Sequence, residues 1–342
     1  MRILIESYST CCQNESGGVQ NRIRKIHSLL KKMGIDVSYY NKFTSKIDTC
    51  DILHIFKLDY ETYGLIQCAK KSLKKVVIST IVTISGGTKI DIHRMLINKL
   101  PIMTTYKILF KSLELSDLVI TETKKEADFL NKHYKVPYNK IRVIPNGVDA
   151  DGYSGDEIYD VIGKKCEYVL QVGRFDDNKN QLNLIKALKN TGIEVVFIGG
   201  ANHTDSGYYE KCVREAAGCD SIHFLGWLDS SSPLLKSSYS HANVLALPSF
   251  HETFGLVALE GGMAGAKLAL SNTLPILDYG IFDNCHTFSP SNVEEIKREI
   301  IAAFNDPKDN QLIEKMMASF SWKRIIEEHI KCYSELCDER YT

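Results

Sequence analysis

The chain has 342 residues, 44% of them hydrophobic and 25% charged, and its 42 basic and 42 acidic side chains cancel to a net charge of zero. That length exceeds one typical domain, and the composition excludes a disordered or fibrous chain. No run approaches about eighteen apolar residues, so no membrane-spanning helix is expected, and ten scattered cysteines without Cys-x-x-Cys spacing read as free thiols rather than as a disulfide framework or a structural zinc site.

In chain order, Arg2–Ile5 reads as a first strand, too short an apolar run for a signal-peptide core. A loop containing Gly17-Gly18 leads to a helix over about residues 18–33, with Val19, Ile23, Ile26, Leu30 and Met33 on one apolar stripe and Gly34 at its end. Strands follow at Asp36–Tyr40, Ile52–Phe56, Val76–Ile81, Leu118–Thr121 and Arg142–Ile144. Residues 149–165, rich in Asp and Gly, read as a linker. A second series then runs through Tyr168–Val172, Val195–Ile198, Ile222–Phe224, Val244–Leu247 and Leu268–Leu270. Short strands alternating with helical segments predict two parallel sheets covered on both faces.

Two strand-to-helix loops carry chemistry. After Tyr168–Val172 come Gly173 and a charged loop bracketed by Arg174 and Lys179. A guanidinium binds phosphate through parallel hydrogen bonds and an ammonium acts as a point charge, so the pair suits a diphosphate. After Val244–Leu247, Pro248 ends the strand, Glu252 lies on the loop, and a helix begins near Gly255. Glu260 falls about two turns into that helix. A helix start favours anions and carboxylates hold hydroxyls, a combination that suits a ligand with both phosphate and sugar. Taken alone, these charges fit ordinary solvated turns equally well.

The second loop resembles the Glu-x7-Glu signature of the retaining family 4 glycosyltransferases, through Pro248-Ser249, Glu252-Thr253-Phe254-Gly255-Leu256 and Glu260, with the family's following glycine at Gly265. The first loop resembles that family's Gly-Arg…Lys element, and the two occur in the family's order. Gly17-Gly18-Val19-Gln20, Val143–Asp149 and the tail from Trp322 to Tyr333 extend the resemblance over essentially the whole chain. It implies a GT-B fold: two Rossmann-like domains with parallel sheets facing across a cleft. The expected division is 1–150 for an acceptor-side domain and 151–322 for a nucleotide-sugar domain, with a helix over about 323–342 packing back on the first. The implied activity is retaining transfer of a hexose from a nucleoside diphosphate sugar, a UDP-sugar, to a glycan acceptor in surface polysaccharide or lipopolysaccharide synthesis. By the same resemblance Arg174, Lys179 and Glu252 are catalytic, and Gly17, Gly18, Gly173, Phe254, Gly255, Leu256 and Glu260 bind the donor. No metal and no cofactor is expected.

The chain departs from the family pattern in places. The histidine usually found after the strand at Val76–Ile81 is missing, His93 reads as a helix-surface residue, and sugar positioning falls by default to backbone groups, Ser79, Thr80 or Ser85. Lys267 stands where proline is common, and Gly261-Gly262 replaces a more helix-favouring pair, open to a donor ribose or to plain substitution. Asp149-Ala150-Asp151 matches a metal-binding Asp-x-Asp but falls in the linker. Gly-x-Gly-x-x-Gly is absent after the first strand, against a dinucleotide-dependent oxidoreductase. A UDP-sugar 2-epimerase on the same fold and a catalytically silent nucleotide-sugar-binding subunit stay open. Finally, residues 1–150 hold 24 basic and 14 acidic side chains, a charge of +10 that the remaining residues balance. Basic clusters at Lys70, Lys71, Lys74 and Lys75 and on the first helix at Arg22, Arg24, Lys25, Lys31 and Lys32 suggest an anionic partner. The expected location is the cytoplasm, peripheral to the inner membrane face, with no nucleic acid partner.

Overall fold

The computed structural model describes residues 1–7, 18–82, 84, 86–97, 101–149, 152–201 and 207–338. The chain divides into two compact units, Met1–Gly147 with Trp322–Thr342, and Val148–Ser321.

In the first unit β1 (Arg2–Ser7), α1 (Gly18–Lys32), β2 (Asp36–Tyr39), β3 (Ile52–Phe56), α2 (Tyr63–Lys71), β4 (Lys75–Ser79), α3 (Gly87–Ile97), α4 (Thr105–Leu115), β5 (Leu118–Thr121), α5 (Lys124–Phe129) and β6 (Ile141–Val143) follow in order. The strands form one parallel sheet, β2-β1-β3-β4-β5-β6. Every residue of β3 is buried, as a strand covered by helices on both faces requires. β4 is shorter than its apolar run suggests. Ile81 takes φ +47°, a region that β-branched residues rarely adopt. Thr80 Oγ1 and the Val82 N–H flank it and both donate to Glu126 Oε1, at 2.6 and 3.1 Å. Burial and the neighbouring Glu122 push the Glu126 carboxyl up to about 7.

In the second unit α6 (Glu157–Ile162), β7 (Tyr168–Val172), α7 (Gln181–Leu188), β8 (Glu194–Ile198), α8 (Gly207–Glu215), β9 (Ile222–Phe224), α9 (Pro233–His241), β10 (Val244–Leu247), α10 (Leu256–Met263), β11 (Lys267–Ser271), β12 (His286–Phe288), α11 (Val293–Asn305) and α12 (Asn310–Phe320) build a parallel sheet of order β12-β11-β10-β7-β8-β9. The stretch expected as a linker contains α6. Ile158 on it is buried in the core and its N–H donates to Ser237 Oγ, so these residues belong to the second unit. Lys267 opens β11 and its Nζ donates to the carbonyls of Phe304 and Asp306, both at 2.7 Å, capping the end of α11. Strand β12 escapes sequence reading because His286-Thr287-Phe288 has no apolar run.

The last helix, α13 (Trp322–Cys337), returns to the first unit, where Ile325, Ile326 and Tyr333 join the core beside α1. A Cβ on Gly147 would stand 2.5 Å from the Trp322 ring, so glycine there lets the indole lie on the backbone. Tyr333 Oη is 2.7 Å from His54 Nδ1, and His54 Nε2 is 2.9 Å from Ser79 Oγ, which fastens α13 to the sheet.

Candidate active site

The two charged loops meet in the second unit because β7 and β10 are neighbours, with Val169 opposite Val244 and Leu170 opposite Leu245. Each strand ends in a loop at the same carboxyl edge, where open α/β sheets bind ligands. Lys179 Nζ lies 2.5 Å from Glu252 Oε1, and Ser249 Oγ donates to the same oxygen at 2.7 Å. Arg174 reaches Asp176 Oδ2 through Nε and Nη2, both at 3.0 Å. The side chain of Arg174 is 54% exposed, against 20% for Lys179 and 13% for Glu252, so one cation faces solvent while the other is held in the wall.

Polar residues that sequence reading passed over fix this geometry. Asn178 Nδ2 donates to the His251 carbonyl and its Oδ1 accepts from the His251 N–H, both at 2.9 Å. Asn180, with φ +61°, donates to the carbonyls of Pro248 and Pro290. Gln171 donates to the Lys179 carbonyl and Gln181 to that of Arg174. The signal was amides placed beside the cations, but amides are common in turns and gave no partner. Gly173 lies against Gly199, where a Cβ would come within 2.0 Å of the Gly173 carbonyl oxygen, so the floor beside Arg174 is bare backbone.

Gly255 precedes α10 with φ +111°, a conformation glycine adopts without strain. Leu256 is the first residue of the helix. The Phe254 ring does not face a ligand: it is buried in the core, edge-on to Tyr279 and Phe320, and only its backbone is available to a donor. Glu260 is half-buried and accepts from Tyr239 Oη at 2.6 Å. Burial pushes its carboxyl up, the Tyr239 hydrogen bond opposes this, and Asp149 adds to the rise. Gly261 and Gly262 serve packing: Cβ atoms there would meet Leu245 at 2.9 Å and Met316 at 2.6 Å. They bring α10 onto β10 and α12, which removes the ribose as their reason.

In the first unit Gly18 is the exposed first residue of α1, while Gly17 and Ser85 lie outside the described residues. Ser79 and Thr80 are buried and turned inward, to His54 and Glu126, so neither side chain positions a sugar. His93 lies on α3, where its Nδ1 is 3.1 Å from the Lys89 carbonyl. Arg22 is also buried, paired with Glu122, and does not belong to a basic surface. Asp151 lies outside the described residues, and among those described no group of His, Cys, Asp and Glu forms a metal cluster.

Residues 4–151 match Glycosyltransferase Family 4, and residues 160–317 match Glycosyl transferases group 1. An uncharacterized glycosyltransferase of Methanocaldococcus jannaschii is 24% identical over 84% of this chain and 76% of its own length. D-inositol 3-phosphate glycosyltransferase of Corynebacterium aurimucosum is 27% identical over 50% and 46%. The chain spans about half the length of most of the curated relatives it matches. Among solved structures, sucrose-phosphate synthase of Thermosynechococcus elongatus superposes with a TM-score of 0.76 at 18% identity, covering 98% of both chains. Anabaena HepE in complex with UDP gives 0.73 at 14% identity over 98% and 100%. The chain belongs to the group 1, family 4 glycosyltransferases and has the GT-B fold.

Proposed function

We propose that this glycosyltransferase moves a hexose from a UDP-sugar to a glycan acceptor with retention at the anomeric carbon, and without a metal ion. The observation that carries the reading is the junction of Lys179 and Glu252 at the adjoining ends of β7 and β10, with Arg174 exposed on the same loop as Lys179. Breaking the glycosidic bond builds negative charge on the departing diphosphate. Cations already in place bind that charge more strongly as it develops, which lowers the barrier. An ammonium carries three donors, so the bond from Lys179 to Glu252 leaves capacity for phosphate oxygens. Asp176 occupies one edge of the Arg174 guanidinium and leaves the other for phosphate. The start of α10, an eight-residue helix, adds backbone N–H groups at Gly255 and Leu256.

Glu252 takes donor-sugar hydroxyls with the oxygen capacity that Lys179 and Ser249 leave, and Glu260 takes the ribose hydroxyls. The leaving phosphate receives the acceptor's proton. HepE in complex with UDP and with UDP-glucose supports the choice of donor. The excess of basic side chains in residues 1–150 supports an acceptor held at the cytoplasmic membrane face, a lipid-linked glycan of surface polysaccharide or lipopolysaccharide synthesis.

The test is incubation of the pure protein with a panel of UDP-sugars, with and without glycan acceptors and with excess EDTA. Transfer that persists in EDTA and keeps the anomeric configuration is the expected result. Sugar isomerisation without acceptor identifies an epimerase, and tight nucleotide binding with no turnover identifies a silent subunit. Activity lost in EDTA and restored by manganese overturns metal independence.

A further inference from the structure

Two non-glycine residues with positive φ stand side by side at the carboxyl ends of β3 and β4, Lys57 at +71° and Ile81 at +47°. Phe56 pairs with Ser79, and beyond that pair the Lys57 N–H donates to the Ser79 carbonyl at 2.7 Å and the Leu58 N–H to the Thr80 carbonyl at 2.9 Å. The ladder between the strands therefore runs on into both turns. For a β-branched residue this conformation is an outlier, and it persists only where the surroundings over-determine it. Such strain collects where a protein holds a segment ready for its function, and the carboxyl edge of an open α/β sheet is where ligands bind.

The group that over-determines Ile81 is Glu126, buried in the first turn of α5. Its Oε1 accepts from the Thr80 hydroxyl and from the Val82 N–H, one on either side of Ile81, and its Oε2 accepts from the Glu122 N–H at 2.7 Å. Its own N–H donates to Thr123 Oγ1, the cap of α5, at 3.1 Å. One carboxylate thus ties the end of β4 to the end of β5 and the start of α5. All three donors call for lone pairs, so the clamp needs the ionised form. A proton on either oxygen turns an acceptor into a donor and releases at least one partner. Burial and Glu122 work against the ion while the hydroxyl and the two N–H groups favour it, and the carboxyl stands at about 7. Glu122 is itself paired with Arg22 of α1. Of the other charged groups nearby, Lys124 and Lys125 of α5 are exposed, and Arg142 of β6 is turned to Glu335. Release of the clamp therefore falls near neutral pH.

We infer that Glu126 is a positioning residue for the transfer proposed above: its carboxylate locks residues 80–82, where the chain leaves β4 for α3, into the conformation the reaction uses. The inference rests on the glycosyl-transfer reading for the reaction, and on the clamp alone for the lock. The side chain is 3% exposed, so it acts through the backbone it holds and not on a substrate.

Two readouts on the intact chain separate the lock from the reaction. Hydrogen exchange at the Val82 amide, without nucleotide, reports the lock. The dependence of kcat on pH between pH 5 and pH 8, with the UDP-sugar and acceptor that turn over in the panel above, reports the positioning. In wild type kcat should show an acidic limb centred at about 7, falling about tenfold per pH unit below it, and Val82 protection should fall over the same range. Glu126→Gln keeps a carbonyl oxygen for Thr80 and Val82 and does not titrate. The limb should vanish in it, with kcat within about threefold of wild type at pH 8. Thr80→Val removes a donor to the ion, raises the carboxyl and should move the limb to higher pH. Glu126→Ala should lose Val82 protection and about a hundredfold in kcat at every pH. Should that variant not fold, the other two decide alone. Stability runs the opposite way. A carboxyl raised on folding contributes stability below its unfolded pKa and loses it as pH rises through about 7. The melting temperature of wild type relative to Glu126→Gln should therefore decline over the range in which kcat rises, which an acidic limb caused by unfolding would not do. A limb that persists in Glu126→Gln, a limb unmoved in Thr80→Val, or Val82 exchange indifferent to Glu126→Ala overturns the assignment. Absence of transfer across the panel defeats the transfer reading instead, and Val82 protection lost at low pH in wild type but kept in Glu126→Gln still establishes the lock.

Discussion

Tyr239 donates a hydrogen bond to Glu260 at 2.6 Å, linking α9 to the second turn of α10. The bond favours the ionised carboxyl, whereas burial and Asp149 favour the protonated one, and burial dominates. In the role proposed for Glu260, the ionised carboxylate is the form suited to accept ribose hydroxyls. On that reading, affinity for UDP should be full above the carboxyl's pKa and fall as pH drops through it. Tyr239→Phe removes the opposing hydrogen bond and raises the carboxyl further. Calorimetric titration of UDP between pH 5 and pH 8 should show the loss of affinity beginning at higher pH in the variant. Superimposable profiles for wild type and Tyr239→Phe reject Glu260 as a ribose ligand.

Lys179→Ala and Arg174→Ala should each lower kcat by about two to three orders of magnitude, the scale for removing a group aimed at developing charge. Their effects on folding differ. Arg174 is largely solvated, so its loss should leave thermal stability within about 0.5 kcal/mol. Lys179 is mostly enclosed and its truncation leaves Glu252 with one partner fewer, a loss of about 1–3 kcal/mol. The double variant Lys179→Ala, Glu252→Gln should be more stable than the sum of the singles predicts, because the lone carboxylate is gone. Strict additivity would separate the two residues energetically and undo the junction.

Much of this was readable from the chain because periodicity and motif agree. The apolar runs Ile52–Phe56, Tyr168–Val172 and Val244–Leu247 are strands over those same residues. The motif glutamate Glu252 and motif lysine Lys179 meet because their strands pair. What escaped was what a one-dimensional pattern does not encode. Phe254 follows the motif but turns into the core, since the segment that carries it must also bury an apolar side. Ser79 and Thr80 stand at a strand's carboxyl end, yet buried His54 and Glu126 require partners and take both hydroxyls. Arg22 looked like one of a basic row, but its helix position faces Glu122.

Gly261 illustrates the same limit and gives a direct test. By helix propensity alone, Gly261→Ala should stabilise α10 by about 1 kcal/mol. A Cβ there meets three atoms of the Leu245 side chain at 2.9 Å, inside a close-packed core. Overpacking of that kind costs about 1–3 kcal/mol, so the contact wins and the variant should be destabilised. A urea midpoint above that of wild type would show that α10 does not press on β10 as described.

The basic clusters of the first unit predict reversible binding to anionic membranes, with a composition that the structure revises. Lys70 is not free for lipid, since its Nζ lies 2.7 and 2.8 Å from the two carboxylate oxygens of Asp117. Lys71, Lys74 and Lys75 remain, and between them Leu73 is 90% exposed at φ +58° in the turn after α2. An exposed leucine ringed by lysines combines an apolar anchor with charge attraction, each cation contributing on the order of 1 kcal/mol near an anionic surface. Sedimentation with anionic liposomes should fall as salt rises, since surface charges are screened. Replacing Lys71, Lys74 and Lys75 by glutamine should abolish it, Leu73→Ser should weaken it, and Lys70→Gln should change it little. Recovery that is equal with neutral vesicles, or absent with both, removes the membrane from the account and leaves a soluble glycan as the acceptor.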